Sequence, residues 1–184
     1  IFAFFIVEGI LHTSSKWKYL LRLGIFAILS EIPYDFAHGY AGIEFSGQNV
    51  ILTFFLAVAG LLIFDYFVKK ECWWSYILAV ASLAIFAVFS EILHTDYGYV
   101  GVGLIYILSV SSSQGLIFTC SMGALYQGLI LNGIRYHWIQ WYGIGAYIPL
   151  LMYNGKRGKG WKWLFYIFYP AHLVAFGILV RLLQ

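Results

Sequence analysis

Charged residues are scarce in this sequence. Of its 184 residues, 10% are Asp, Glu, Lys or Arg, whereas 62% are hydrophobic. A soluble domain carries about 25% charged residues, and the shortage here extends along the whole chain. The composition therefore excludes a soluble body with one membrane anchor, and it predicts an integral membrane protein.

Cysteine and motif-forming residues are also few. Cys72 falls in a loop and Cys120 inside an apolar segment, so the two lie at different depths and no disulfide is expected. The five histidines lack the spacing of a zinc site. The sequence contains no serine elbow, no dinucleotide fingerprint and no Walker A loop. We expect neither a metal ion nor a nucleic-acid partner.

The chain begins at Ile1 inside an apolar run. No basic region precedes this run and no cleavage site follows it, which is unlike a signal peptide. We expect that the sequence is truncated and that one or more N-terminal helices precede it.

Eight apolar segments follow one another along the chain. Only helices and closed barrels satisfy the backbone in lipid, and runs this continuous do not alternate as barrel strands do. The prediction is an all-α, polytopic transmembrane helix bundle that forms a single domain over 1–184. The second segment is expected to end at Pro33, and the fifth is short enough for a tilted or half-spanning helix. The segments are 1–12, 17–32, 48–68, 73–93, 99–110, 114–131, 138–153 and 161–183.

The basic residues collect on one side of this predicted bundle. If the eight segments alternate in direction, the opposite side holds only Arg135 and Arg181. The positive-inside rule makes the basic side cytoplasmic. Tryptophans cluster at the segment ends, as expected for an interfacial aromatic belt. The basic side comprises Lys16, Lys18, Lys69, Lys70, Lys156, Arg157, Lys159 and Lys162.

Polar residues converge at the outer boundary of the second and third segments. Glu31 and Asp35 flank Pro33, and Gln48 and Asn49 open the third segment. Carboxylates at such a boundary can orient a general base or bind an amine. Helix capping by Gln48 and Asn49 is the alternative. We favour a site because several polar groups converge at one depth.

Glu91 stands in a stretch that resembles the one around Glu31. Residues 85–92 (IFAVFSEI) parallel residues 25–32 (IFAILSEI). The similarity is either a parallel internal repeat or chance likeness between apolar helices.

Ionisable groups inside membrane spans are candidates for function, because each costs about 2.5–3.5 kcal/mol at a helix centre. Glu8 is the deepest acid and shares a helix face with His12, one turn away. A structural hydrogen bond between helices is an equally good interpretation of Glu8. The intramembrane set is Glu8, Arg22, Glu31, Asp65, Glu91 and His172.

The last segment carries a polar face within an apolar helix. Phe165, Tyr169 and His172 lie on one face, and Pro170 frees the carbonyl of Tyr166. A histidine here can move a proton near neutral pH. It can equally be a structural histidine bonded to the freed carbonyl.

A basic, glycine-rich loop covers 154–160. Lys156, Arg157 and backbone N–H groups can hold phosphates. Taken alone, the loop is better explained as an orientation signal that contacts lipid headgroups.

Several short motifs occur together in one order. They are 2–9 (FAFFIVEG), 12–13 (HT), 19–23 (YLLRL), 30–35 (SEIPYD), 48–50 (QNV), 154–158 (NGKRG) and 166–172 (YIFYPAH). In this order, and over nearly the whole chain, the sequence resembles the TraX family of conjugal-transfer membrane proteins.

The resemblance implies an acetyl-CoA-dependent N-acetyltransferase of the bacterial inner membrane, acting on the amino terminus of pilin or on another small amine or hydroxyl acceptor. It implies that the acyl donor binds on the cytoplasmic side and the acceptor on the outer side. A small transporter or an assembly factor without catalysis is the alternative. Family members carry a further N-terminal helix with an Asp–His pair, which is expected upstream of Ile1.

The resemblance also suggests roles for individual residues. The expected catalytic residues are His172, Glu31, Asp35 and Tyr169. The expected acceptor-binding residues are Glu8, Gln48, Asn49 and Glu91. The expected acetyl-CoA-binding residues are Asn154, Lys156, Arg157 and Arg22.

Overall fold

The computed structural model describes residues 1–39, 44–130, 138–154 and 162–183. Within these ranges the chain forms α-helices, short 3-10 helices and a π-helical turn at 127–130, and the one strand-like feature is an isolated bridge between Gln48 and Thr95. The all-α prediction is confirmed. The α-helices are α1 (Phe2–His12), α2 (Lys16–Ala37), α3 (Val50–Val68), α4 (Trp73–Ile92), α5 (Gly98–Ser111), α6 (Leu116–Tyr126), α7 (Tyr147–Leu151) and α8 (Lys162–Leu183).

Three helices in the described part of the chain are long and apolar enough to cross a membrane: Val50–Val68, Trp73–Ile92 and Tyr166–Leu183. Large apolar side chains also cover the outside of the bundle, among them Ile28 and Leu182. A soluble monomer rarely exposes apolar surface on this scale. The molecule is therefore a membrane protein whose outer surface suits lipid.

Helix α2 does not end at Pro33, as the sequence predicted, but continues to Ala37. Proline removes one backbone donor, and a membrane helix tolerates this loss where its neighbours compensate. The turn after Pro33 is held by packing, since Tyr34 and Asp35 are both buried. The continuation matters because it places Asp35 one turn above Glu31 on the same helix face.

The seventh apolar segment also differs from a long α-helix. Residues Trp138–Ala146 form a 3-10 helix, and only Tyr147–Leu151 are α-helical. Gly143 and Gly145 disfavour an α-helix, and Pro149 is tolerated only because it falls in the first turn of α7.

Helix α5 is short but lies at the centre of the bundle. It packs against α1, α3, α4 and α6. Val100, Val102 and Ile105 are fully buried.

Glycines bring the helices together around tyrosine hydroxyls. A Cβ added to Gly9 would lie 2.6 Å from the Tyr19 hydroxyl, and one added to Gly123 would lie 2.6 Å from the Tyr147 hydroxyl. The missing Cβ therefore makes room for the ring of the facing helix. The pairs of this kind are Gly9 with Tyr19, Gly60 with Tyr106, Gly103 with Tyr126 and Gly123 with Tyr147.

Helices α2 and α8 pack side by side and run in the same direction. Phe26 stacks on Tyr166 at 4.4 Å between ring centroids, and the Arg181 guanidinium lies 3.7 Å from the Phe36 ring centroid. Parallel α2 and α8 agree with the predicted alternation of segments. This packing brings the middle of α8 to the outer end of α2.

Candidate functional site

Asn49 lies at the centre of the outer polar cluster and is fully buried. Its Oδ1 accepts hydrogen bonds from the backbone N–H groups of Ile51 and Leu52, at 3.0 and 3.3 Å, and so caps α3. Its Nδ2 donates to the Ala27 carbonyl at 2.8 Å and to Glu31 Oε2. The capping interpretation is thus realised, and the same side chain also positions Glu31.

Glu31 and Asp35 present two carboxylates from adjacent turns of α2. Asp35 is 3% exposed, and its Oδ2 accepts a hydrogen bond from the Glu44 backbone N–H at 3.1 Å. Glu31 Oε1 and Asp35 Oδ1 are buried, and neither has a hydrogen-bond partner among the described residues. Since an unsatisfied buried polar atom is unfavourable by about 1–3 kcal/mol, and more if charged, this pair of oxygens marks a site able to receive N–H donors.

Tyr169 reaches the same cluster from α8. Its hydroxyl oxygen accepts a hydrogen bond from the Val50 backbone N–H at 3.4 Å. The hydroxyl also lies within electrostatic range of Glu31 and Asp96. The structure therefore brings together Glu31, Asp35, Asn49 and Tyr169, which the sequence analysis selected; we call these four residues the outer acid cluster.

Gln48 contributes mainly through its backbone. Its N–H donates to the His94 carbonyl at 2.9 Å, and its carbonyl accepts from the Asp96 N–H at 2.9 Å. Its side-chain amide donates to the Glu44 and Gly47 carbonyls, both at 3.3 Å. Gln48 thereby fixes the turn between α4 and α5 beside the outer acid cluster.

Asp96 lies on that turn. Partial enclosure of its carboxyl raises the pKa of Asp96, and the nearby His38 opposes this rise. The nearness of these two residues adds a histidine and a third acid to the region around the cluster.

His38 is not among the site residues predicted from the sequence. Its Nδ1 lies 2.9 Å from the Tyr34 carbonyl, and the two rings pack at 4.2 Å between centroids. The spacing of His38 from Glu31 and Asp35 could have identified it. Residues 31, 35 and 38 share one helix face once α2 is allowed to continue through Pro33.

His172 lies next to Tyr169 but is bonded within its own helix. Its Nδ1 lies 3.0 Å from the Phe168 carbonyl, so the bond to the carbonyl of Tyr166, one of the two alternatives for this histidine, is not formed. The geometric reason is that Phe168 is the residue one turn before His172. The imidazole also packs against the rings of Tyr169 and Phe176, at 5.3 and 6.1 Å between centroids.

Glu8 and Asn154 lie at the other end of the bundle, the end predicted to be cytoplasmic. They line a cleft of about 410 Å³ together with His12 and Tyr153. Glu8 Oε2 accepts a hydrogen bond from the Tyr153 hydroxyl at 2.9 Å and lies 3.4 Å from His12 Nδ1. Glu8 is therefore not part of the outer acid cluster.

The other predicted site residues lie neither in the outer acid cluster nor in the cleft lined by Glu8. Glu91 is on the exposed surface of α4, where it lines an apolar hollow with Tyr99. Arg22 lies between α2 and α8, hydrogen-bonded to Tyr166 and 5.8 Å from the Tyr19 ring centroid. Lys156 and Arg157 fall outside the described residues.

Comparisons with known proteins agree with the motif order. A family model described as "TraX protein" matches residues 1–180. The curated "Probable fimbrial assembly protein FimC, serogroup H1" of Dichelobacter nodosus is 28% identical over 92% of this chain and 74% of its own length. No solved structure matches this chain. Because the family model covers nearly every residue, the chain belongs to the TraX family.

Proposed function

We propose that this protein is a multi-pass acyltransferase of the bacterial inner membrane. It transfers an acetyl group from acetyl-CoA to an amine, and a pilin subunit is the acceptor that its relatives suggest. TraX membership and the name of the fimbrial relative support a role connected with pili.

The observation that carries this proposal is the pair of buried carboxylate oxygens in the outer acid cluster. Glu31 Oε1 and Asp35 Oδ1 have no hydrogen-bond partner among the described residues. A protonated amine has several N–H donors and a positive charge, so it would satisfy both oxygens at once. Asn49 holds Glu31 in place by its side-chain amide, so the pair is ready before the amine arrives.

The cleft at the opposite end is the proposed entry for the acyl donor. Its volume of about 410 Å³ is within the range of small-molecule sites. Its described lining contains the carboxylate of Glu8 but no Lys or Arg. The described lining therefore suits an uncharged part of the donor, and binding of its phosphates by Lys156 and Arg157 stays a prediction.

The two ends are separated by the length of a membrane helix. Helix α3 has 19 residues, which corresponds to roughly 28 Å at the usual helical rise. Transfer between the ends therefore requires the pantetheine arm of CoA, which carries the acetyl thioester, to reach into the bundle, and the short central α5 lies between the two ends.

The test uses the full-length protein in lipid nanodiscs, with radiolabelled acetyl-CoA and a short peptide that has a free amino terminus. We expect label to enter this peptide but not the same peptide blocked at its amino terminus. The double variant Glu31→Gln, Asp35→Asn should raise KM for the peptide at least tenfold and leave acetyl-CoA binding intact. Glu71→Gln, which changes an exposed acid at the far end, is the matched control.

An assembly factor without catalysis is the second candidate, because the relative is named for fimbrial assembly. It predicts that the double acid variant still supports pilus formation in cells. If the wild-type protein neither binds acetyl-CoA nor labels the peptide, the acyltransferase proposal is wrong and the assembly role stands.

A further inference from the structure

Three ionisable residues lie on one face at the outer end of α2. Glu31, Asp35 and His38 occupy positions i, i+4 and i+7, which align on a helix. His38 is the outermost of the three and is exposed, whereas Asp35 is buried. An acceptor that approaches the two carboxylates from outside therefore passes the imidazole.

The imidazole is held in one orientation. Because a carbonyl can only accept, the 2.9 Å contact between Nδ1 and the Tyr34 carbonyl makes Nδ1 the protonated nitrogen of the neutral ring. The ring also packs on Tyr34, which restricts its rotation. Nε2 then carries the lone pair that a proton acceptor needs.

Asp96 supplies a negative charge near this ring. It stands on the turn between α4 and α5, which the two backbone bonds of Gln48 hold against the start of α3. The charge of His38 opposes the rise in the pKa of Asp96, so the two groups lie within electrostatic range of each other. A carboxylate beside a histidine stabilises the imidazolium that forms when the ring takes up a proton.

We infer that His38, oriented by Tyr34 and assisted by Asp96, is the proton acceptor for the attacking amine. This inference rests on the proposed function. The bound ammonium first releases one proton to water. As the amine nitrogen then forms the C–N bond with the acyl carbon and the C–S bond breaks, its second proton moves to Nε2 of His38. The proton on His38 is finally passed, directly or through water, to the departing thiolate, so the products are an amide and a thiol.

Other ionisable groups lie in the same region of the fold as His38. They come from three further places in the fold: Asp35 one turn below it on α2, Glu44 on the segment that leads to α3, and Tyr169 on α8. Of these, Asp35 binds Glu44 through the backbone, and Tyr169 lies near Asp96 and Tyr34. Asp96 is the acid whose raised pKa is partly lowered by the charge of His38.

The test compares two histidine variants in the transfer assay with acetyl-CoA and the free peptide. His38→Asn keeps a donor near the position of Nδ1 but removes the proton acceptor. It should lower kcat by about 100-fold or more, the usual contribution of a general base, and leave KM for the peptide within about twofold. His94→Asn, at an exposed histidine with a positive φ that asparagine also accepts, should keep normal activity.

Asp96→Asn tests the pH dependence of kcat, which would stay unchanged if His38 had only a structural role. Loss of the carboxylate removes a negative charge that would stabilise the imidazolium, so the rise of kcat with pH should shift to lower pH. The inference is overturned if His38→Asn keeps kcat within threefold of wild type, or if the Asp96→Asn profile does not move. If the wild-type protein transfers no acetyl group, the proposed function fails and the role of His38 fails with it.

Discussion

The side-chain amide of Asn49 binds the carboxylate of Glu31, and this contact joins the start of α3 to the outer end of α2. The same residue caps α3, so one side chain combines a structural and a positioning role. The four hydrogen bonds of its side chain are all made to other groups of the protein. We therefore expect Asn49 to act on a ligand only through Glu31.

Replacement of Asn49 by alanine should destabilise the protein by about 2–4 kcal/mol, because a helix cap and two buried hydrogen bonds are lost together. The measurement is thermal unfolding of the full-length protein in detergent. Asn49→Asp keeps the cap but places a second carboxylate against Glu31. Its loss of stability relative to the wild type should become smaller as the pH is lowered, because protonation removes the repulsion between the two carboxylates. Gln114→Ala removes an exposed amide and serves as control. Equal melting temperatures for Asn49→Ala and Gln114→Ala would contradict the assignment.

Gly123 tests the packing of tyrosine rings against glycines. A Cβ at this position would lie 2.6 Å from the Tyr147 hydroxyl and 2.8 Å from Leu108 Cδ2. Gly123→Ala should therefore destabilise the bundle by about 1–3 kcal/mol. Gly145→Ala is the control, since no atom lies within 4 Å of its added Cβ.

The Gly123 effect should depend on the facing ring. In a Tyr147→Ala background, the same Gly123→Ala change should reduce the melting temperature less than in the wild type. Full additivity of the two changes would show that Tyr147 does not limit the space at Gly123.

Cys72 offers a test of membrane orientation. It is exposed in the turn before α4, whereas Cys120 is buried. In a Cys120→Ser background, a membrane-impermeant maleimide should label Cys72 in inverted membrane vesicles but not in intact spheroplasts. Labelling in spheroplasts would place the basic side outside the cytoplasm, against the positive-inside assignment.

The reactivity of Cys72 should also depend on Ser75. Hydrogen bonding from Ser75 lowers the pKa of the Cys72 thiol, so more thiolate is present at a given pH. Ser75→Ala should raise this pKa and move the pH dependence of labelling upward. A labelling profile that is unchanged by Ser75→Ala would show that the hydrogen bond does not act on the thiol.

The ion pair of Lys16 with Asp65 joins the beginning of α2 to the end of α3, with 2.5 Å between Nζ and Oδ2. Both side chains are about two-fifths exposed, at 42% and 40%, so water screens the pair. We expect a coupling energy of about 1 kcal/mol or less in a double-mutant cycle with Lys16→Met and Asp65→Asn. A coupling above about 2 kcal/mol would indicate that the pair is shielded from water.

Much of the outer acid cluster could be predicted from the sequence, because several polar groups converge at one depth of the membrane. That convergence indicates Glu31, Asp35 and Asn49, and Tyr169 follows from the helix face that it shares with His172. His38 was missed because Pro33 was expected to stop α2. The rule that proline ends a helix does not hold at this position, since the packing of Tyr34 and Asp35 stabilises the helical turn after Pro33.

Contacts between distant segments could not be predicted in the same way. Glu8 and Asn154 were given different roles, yet they line one cleft because α1 and the residue pair after α7 meet there. No spacing within one segment contains that information. The seventh segment illustrates the same limit, since its apolar composition did not distinguish a 3-10 helix from an α-helix.

Helix α8 packs mainly on α2, and most of its remaining surface faces away from the described protein. Yet it supplies Tyr169, whose hydroxyl contacts the start of α3. Within the described part of the chain, one side of the outer acid cluster is thus held mainly by the packing of α8 on α2. The shape of the cluster is consequently expected to be sensitive to bilayer thickness and to lateral pressure, because both act directly on a helix that has few neighbours among the described residues.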